Sequence, residues 1–403
     1  MYHPPAMSVP HSPARRRFLG AVPAGAGVLA LHRGLAQTEA ELAGKTGMRV
    51  LSERPINAET WVDDLDPRHT PNDRHFVRNN GGVPERALSG NLDGWSLRVT
   101  GEVEQEIALS LDDLMSGFET VSRSLVLECA GNGRAAFRPG AAGNQWWLGA
   151  VGCARYTGVR LADVLAAAGL LDTAVFVAWY GEDPHLSGDP AEVPISRGIP
   201  LSKANDPSTL LAWEMNGEPL PPLHGFPLRL VAPGYPASAS GKWLTRLWVR
   251  DRVHDGPKMT GQSYRMPRYP VAPGDDVPDE QMEIIEEMPV KSVITRPETG
   301  GQHAIAGPLA VRGWAWSGSG AVDAVHLTAD FGATWFGCRL ETPENRFDWQ
   351  RFEGSVRFPI PGHYELWARA TDRRGRQQPM VAPGWNPRGY LNNAMHRIAV
   401  TVV

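Results

Sequence analysis

The stretch LVLECAGNGRAAF (residues 125–137) places a cysteine, Cys129, at the end of an apolar run. A glycine-rich turn follows, and Arg134 stands on its far side. The chain holds three cysteines, Cys129, Cys153 and Cys338. A free cysteine is among the most buried residue types, so a structural thiol is the plain reading of an isolated one. A nucleophile needs a base within reach, and no local signature supplies one. Zinc calls for several Cys or His at close spacing, and the sequence has neither CxxC nor HExxH. A c-type haem needs CxxCH, also absent. One chemistry remains open beside the buried thiol: a single thiolate ligand to a sulfur-liking metal whose other ligands come from a cofactor.

The elements around Cys129 must hold it still. RSLVLECAGNG reads as a strand running into a turn. WSLRVTGEV alternates like a strand, and AVFVAWYGED and FPLRLVAPG read as further strands. Ser110 and Asp113 have capping-box spacing, which predicts a short helix from there. GVRLADVLAAAGL puts Leu161, Val164, Leu165 and Ala168 on one helical face, with Gly169 as a stop. This region is α+β. YPVAPGDDVPDEQME, rich in Pro and acid, reads as a linker. From Ile284 onward short strands alternate with Gly, Pro and Asp at roughly 8–12 residue spacing, the pattern of a β-sandwich. VAPG occurs at Val231, Val271 and Val381 without an even period, so no repeat architecture is read.

The whole composition sets limits. The 403 residues are 42% hydrophobic and 21% charged, enough for two or three domains. Gly 43 and Pro 35 suggest many turns, and Trp 14 supplies walls for cores and pockets. A net charge of −4 argues against nucleic acid as a partner. Residues 1–36 carry ARRRFLG, a short weakly apolar run and a small-residue end, the pattern of a twin-arginine export signal. The apolar run is too short for a membrane span, so no stable membrane insertion is expected. Removing residues 1–36 deletes four arginines and no acids and leaves a mature chain of about −8. That route commonly carries proteins already loaded with a cofactor. Residues 37–75 form a polar extension with no clear periodicity.

Several motifs together give a family resemblance. ECAGNGR (Glu128 to Arg134), AWEMNGEPLPPLHGFPLRL (Ala212 to Leu230) and GKWL (Gly241 to Leu244) resemble the sulfite oxidase family of molybdenum enzymes. FVRNN (Phe76 to Asn80), SYRMP (Ser263 to Pro267) and WNPRGYLNNAMHR (Trp385 to Arg397) add to it. The resemblance spans about residues 70–403 and is specific because the motifs occur jointly and in order. It implies an α+β molybdopterin domain over residues 76–275. An all-β immunoglobulin-like dimerisation domain is then expected over residues 283–403.

By that resemblance Cys129 matches the thiolate that ligates molybdenum beside the pterin's sulfurs. Arg78, Arg134 and Arg388 match the arginines around the substrate oxyanion, where planar guanidinium groups give paired charged hydrogen bonds. Tyr264 matches the active-site tyrosine, and Trp146 a pocket tryptophan, with Trp147 as the alternative. His224, Arg229, Ser240, Gly241 and Lys242 match positions that hold the pterin and its phosphate. Phe76, Val77, Asn79 and Asn80 flank Arg78 as pterin contacts; many members have histidine where Asn80 stands. Asp183 is the acidic pterin contact, with Asp189 as the alternative.

The implied cofactor is Mo-molybdopterin, and the implied assembly a homodimer. No haem module precedes the domain, and no GxGxxG points to flavin or NAD. Electrons would therefore leave to a separate c-type cytochrome. The reading is a periplasmic sulfite dehydrogenase that oxidises sulfite to sulfate. The molybdenum subunit of sulfane dehydrogenase is the near alternative, since it shares RNN. A methionine-sulfoxide reductase of the same superfamily fits less well, lacking the sandwich and any need for three arginines. A non-enzymatic exported binding module is the alternative of another class, separated by metal analysis.

Overall fold

The apolar run before Cys129 ends the strand Thr120–Glu128, whose last five residues are buried. That strand pairs antiparallel with Val151–Arg160 along its whole length, from Thr120 opposite Val159 to Glu128 opposite Val151. Val151–Arg160 pairs in turn with Leu210–Met215, which also carries Arg229–Val231 at its edge. A strand covered on both faces needs apolar side chains on both, which is why the run does not alternate. We describe a computed structural model over residues 44–403; the expected export signal lies outside the described residues.

A second sheet orders Ile107–Leu109, Leu97–Gly101, Leu244–Arg250, Phe176–Gly181 and Gly198–Pro200. Its one parallel pair joins Leu97–Gly101 to Leu244–Arg250. Val159, Leu211 and Leu230 of the first sheet share one core with Leu97, Val177 and Leu247 of the second. The helix Leu161–Ala168 buries Leu161, Val164, Leu165 and Ala168 into that core, the predicted face, and Gly169 follows as its C-cap. Ser110 caps the helix Leu111–Gly117 through a reciprocal bond with Asp113, as its spacing predicted.

The stretch before residue 76 differs from expectation. Arg49–Glu53 and Ile56–Glu59 form a hairpin, and Ile56–Glu59 pairs with Val77–Arg78. Asn57 and Glu59 point inward, 2% and 1% exposed, so polar residues occupy the buried face. That breaks the alternation by which a strand is recognised. The acidic, proline-rich stretch is a loop closed at its base, where Arg265–Pro267 pairs with Met282–Ile284.

After Ile284 the described residues contain no helix. One sheet of the sandwich orders Lys291–Arg296, Leu309–Trp316, Gln350–Val356 and Arg339–Leu340. The facing sheet orders Gly301–His303, His396–Val402, Gly362–Asp372, Val322–Thr328 and Phe336–Gly337. Inward residues of both, among them Ile294, Val311, Phe352, Leu366 and Ile398, make a separate core. The connection 385–395, before the last strand, leaves the sandwich and reaches the end of the Thr120–Glu128 strand. There Leu391 N–H donates to Ala130 O at 2.9 Å, and Asn392 Nδ2 donates to Gly133 O at 2.7 Å.

Candidate active site

Cys129 is 5% exposed, and its N–H donates to Ala150 O at 2.9 Å. Its position at the strand end puts the thiol in the wall of two adjoining cavities, of about 700 and 840 Å³. Arg78, Asn79, Asn80 and Tyr264 also line both. No group of three metal-binding side chains is gathered anywhere among the described residues. A metal held by Cys129 would therefore need its remaining ligands from a cofactor.

The first cavity is lined by Phe76, Asp183, His224, Arg229, Ser240 and Lys242, which were expected as pterin contacts. Asp183, not Asp189, is the acid that reaches it; Asp189 caps Ala191 N–H in an exposed loop. Val77 and Gly241 line neither cavity. Val77 is buried and paired with Ala58. At Gly241 a Cβ would stand 2.4 Å from the Trp179 ring, so glycine there lets a cavity wall close in.

Sequence reasoning missed Lys45, His75, Trp179 and Ser238. Lys45 Nζ donates to His75 O at 2.8 Å and meets His224 Nε2 at 2.5 Å. No local pattern marks a lone lysine outside the motifs.

The charge of this cavity is one-sided. Among its described lining residues Asp183 is the one carboxylate, against Arg229, Lys242 and Arg78. Burial pushes the Lys45 ammonium down to about 7 and the Asp183 carboxyl up to about 6. Burial and then the neighbouring cations push His224 and Lys242 well below their ordinary ranges. Four buried polar atoms, His75 Nε2, Asn79 Nδ2, Trp179 Nε1 and Arg229 Nε, have no hydrogen-bond partner. Buried polar groups are normally satisfied, so this pocket is built for a polar, anionic occupant.

The second cavity brings together Arg78, Arg134, Arg388, Trp146 and Tyr264, the five residues predicted for catalysis. Asn57, Asn144, Lys258 and Tyr390 line it too, and among the described residues no acid does. Trp146 is 1% exposed in its wall, whereas Trp147 is 54% exposed and lines neither cavity.

Arg134 is placed with care. Its Nε donates to Arg388 O at 2.5 Å and its Nη1 to Asn144 O at 2.7 Å. Three glycines surround the side chain. A Cβ would come within 2.4 Å of it at Gly131, and within 2.8 Å at Gly143 and Gly389. Arg78 Nη2 donates to Asn80 Oδ1 at 2.9 Å and to Tyr264 Oη at 3.4 Å. The Tyr264 hydroxyl thus accepts from Arg78 and keeps its own proton for the cavity. Arg388 Nε is buried with no partner.

The chain is similar to known proteins over most of its length. Residues 80–258 match the family model of the oxidoreductase molybdopterin binding domain, and residues 282–403 that of the Mo-co oxidoreductase dimerisation domain. The chain is 36% identical over 366 residues to sulfite oxidase of Gallus gallus, covering 87% of this chain and 77% of that protein. It belongs to the sulfite oxidase family. Mitochondrial sulfite oxidase of Homo sapiens is 37% identical over 376 residues, which cover 88% of this chain. The match spans 66% of the length of that human relative. An NAD(P)H nitrate reductase of Hordeum vulgare is 30% identical over 380 residues, 88% of this chain and 42% of that protein. The crystal structure of the sulfane dehydrogenase SoxCD from Paracoccus pantotrophus superposes with a TM-score of 0.70 at 25% identity. It covers 94% of this chain and 92% of that one.

Membership of the sulfite oxidase family implies molybdopterin. The residues fit it: a phosphate-bearing pterin would meet the unpaired cations and orphaned donors of the first cavity, and its metal would lie beside Cys129 at the junction.

Proposed function

We propose that this protein is an exported molybdenum-dependent sulfite dehydrogenase. It would oxidise sulfite and water to sulfate, two protons and two electrons, and pass the electrons singly to an external c-type cytochrome. The observation that carries the reading is the second cavity: three guanidinium groups, no carboxylate among the described residues, and a wall shared with Cys129. Such a cup concentrates a small oxyanion and holds it by charged hydrogen bonds.

The bound cofactor supplies oxygen-atom transfer and two-electron redox chemistry. The chain supplies the rest. Cys129 holds the metal. His224, Arg229, Ser240 and Lys242 hold the pterin and its phosphate, with Phe76, Asn79, Asn80 and Asp183 along its length. Arg78, Arg134 and Arg388 orient the anion, and Trp146 closes the wall. Tyr264 keeps a proton in hydrogen-bonding reach of the anion's oxygens. Export by the twin-arginine route is supported by ARRRFLG. Among the described residues no helix is long and apolar enough to cross a membrane. The match to the dimerisation domain supports a homodimer.

The likeness to SoxCD over nearly the whole of both chains favours one second reading, a sulfane dehydrogenase subunit. Sulfite-dependent reduction of cytochrome c or ferricyanide by the purified, molybdenum-loaded protein decides between them. Turnover with free sulfite is expected, with Arg134→Ala raising KM at least about tenfold. Full metal loading without sulfite turnover would overturn the reading.

A further inference from the structure

Four side chains form one run of ring and guanidinium contacts, three of them in the wall of the second cavity. The Arg197 guanidinium carbon lies 4.6 Å from the centre of the Tyr264 ring. The Tyr264 ring lies 5.7 Å from that of Tyr390, the two planes only 13° apart. The Arg134 guanidinium carbon lies 5.2 Å from the Tyr390 ring centre. Each tyrosine ring thus carries one guanidinium, and the two rings contact each other.

Neither Arg197 nor Tyr390 is explained by the site as described so far. Arg197 is 2% exposed and, among the described residues, has no carboxylate in hydrogen-bond or ion-pair contact. Its Nη1 donates to Ser238 Oγ at 3.0 Å, and its Nε has no partner. A buried guanidinium with a hydroxyl and a ring face as its partners is costly to keep. Its position accounts for it: it stands over the ring of Tyr264. Tyr264 itself sits at φ 55°, a backbone conformation that a tyrosine holds only when its surroundings fix it. Tyr390 supplies a second constraint, since its hydroxyl oxygen accepts from Tyr264 N–H at 3.2 Å. Tyr390 is held in turn by Asn386, which accepts from Tyr390 N–H at 2.9 Å and donates to Tyr390 O at 3.1 Å.

We infer that Arg197 and Tyr390 are positioning residues that hold Tyr264 and Arg134 in one run of contacts. The anion-binding fork and the phenol are thereby set relative to each other. The inference rests on the oxyanion reading of the second cavity for its kinetic consequences, but not for its geometric ones. The two residues act differently. Tyr390 touches both working side chains, so its loss loosens anion binding. Arg197 stands over the ring of Tyr264, so its loss slows turnover and spares binding.

The test uses the molybdenum-loaded protein with Tyr390→Leu, Tyr390→Phe and Arg197→Met. Sulfate affinity is measured by calorimetry, kcat and KM with sulfite, and the Arg134 position by crystallography. Tyr390→Leu is expected to weaken sulfate binding and raise KM about tenfold, whereas Tyr390→Phe, which keeps the ring, recovers most of the loss. Arg197→Met is expected to lower kcat about tenfold while sulfate affinity moves less than threefold. The inference fails if Phe behaves like Leu, or if Arg197→Met raises KM and leaves kcat alone. It also fails if Arg134 stays in its three-glycine cradle in a Tyr390→Leu crystal structure. That last result stands apart from the functional reading: a wild-type protein without sulfite turnover sinks the reading alone.

Discussion

Lys45 shows what burial does to one residue. Its ammonium is enclosed with His75 O, Asn72 O and His224 Nε2 as partners, and burial lowers it from 10.5 to about 7. The sign follows from linkage. Between those two values the unfolded chain holds a proton that the folded chain has released, so stability rises with pH across that window. Lys242 shifts the same way, while Asp183, raised only to about 6, acts below the window. In cofactor-free protein, denaturant unfolding at several pH values from 7 to 10 should show stability rising. Lys45→Met should reduce that slope by about 1.4 kcal/mol per pH unit, one proton's share. An unchanged slope would refute the assignment. The motifs made Cys129 and the three arginines legible because neighbouring residues of distinctive type surround each. Lys45 and Arg197 were not legible: each is one cation among many, and only the fold brings it against a residue that lines a cavity, His224 or Tyr264.

The hairpin of residues 49–59 is the element with most bearing on the site. Asn57 Oδ1 accepts from Asn79 N–H at 2.9 Å and so fixes the strand that carries Arg78. Two residues on, the buried Glu59 carboxylate accepts from Trp147 N–H at 3.0 Å, Gly149 N–H at 3.2 Å and Arg49 Nη1 at 2.8 Å. Glu59 thus ties the segment behind Trp146 to the hairpin. Glu59→Ala removes the acceptor these backbone groups share, and should lower unfolding free energy by about 3 kcal/mol in urea titration. Glu59→Gln, which keeps one oxygen, should cost less. The same inward polar pair hid these strands from a reading by alternation. By contrast, the helix Leu161–Ala168 was legible, because four apolar residues at helical spacing face one core. The strand before Cys129 was legible for a similar reason: full burial wrote a continuous apolar run into it.

Across the whole molecule, the sandwich and the molybdopterin-domain half meet behind Cys129. Glu128 accepts from Lys291 Nζ at 2.5 Å, Trp316 Nε1 at 2.8 Å and Asn132 Nδ2 at 3.0 Å. Lys291 and Trp316 belong to the sandwich, and the side chains of the ion pair Lys291–Glu128 are only 3% and 2% exposed. Lys291→Met should cost about 3–5 kcal/mol in chemical denaturation, because it leaves a buried charge without its counter-ion. Adding Glu128→Gln should recover most of that loss, and a double variant no better than the single one would refute the account. Arg388 and Tyr390 also come from the sandwich half, on the connection 385–395. Modular exchange between relatives at the proline-rich joint would accordingly transplant more than a pairing surface. The incoming half would bring its own guanidinium and its own aromatic partner to the donor's cup, and substrate preference would be inherited along with it.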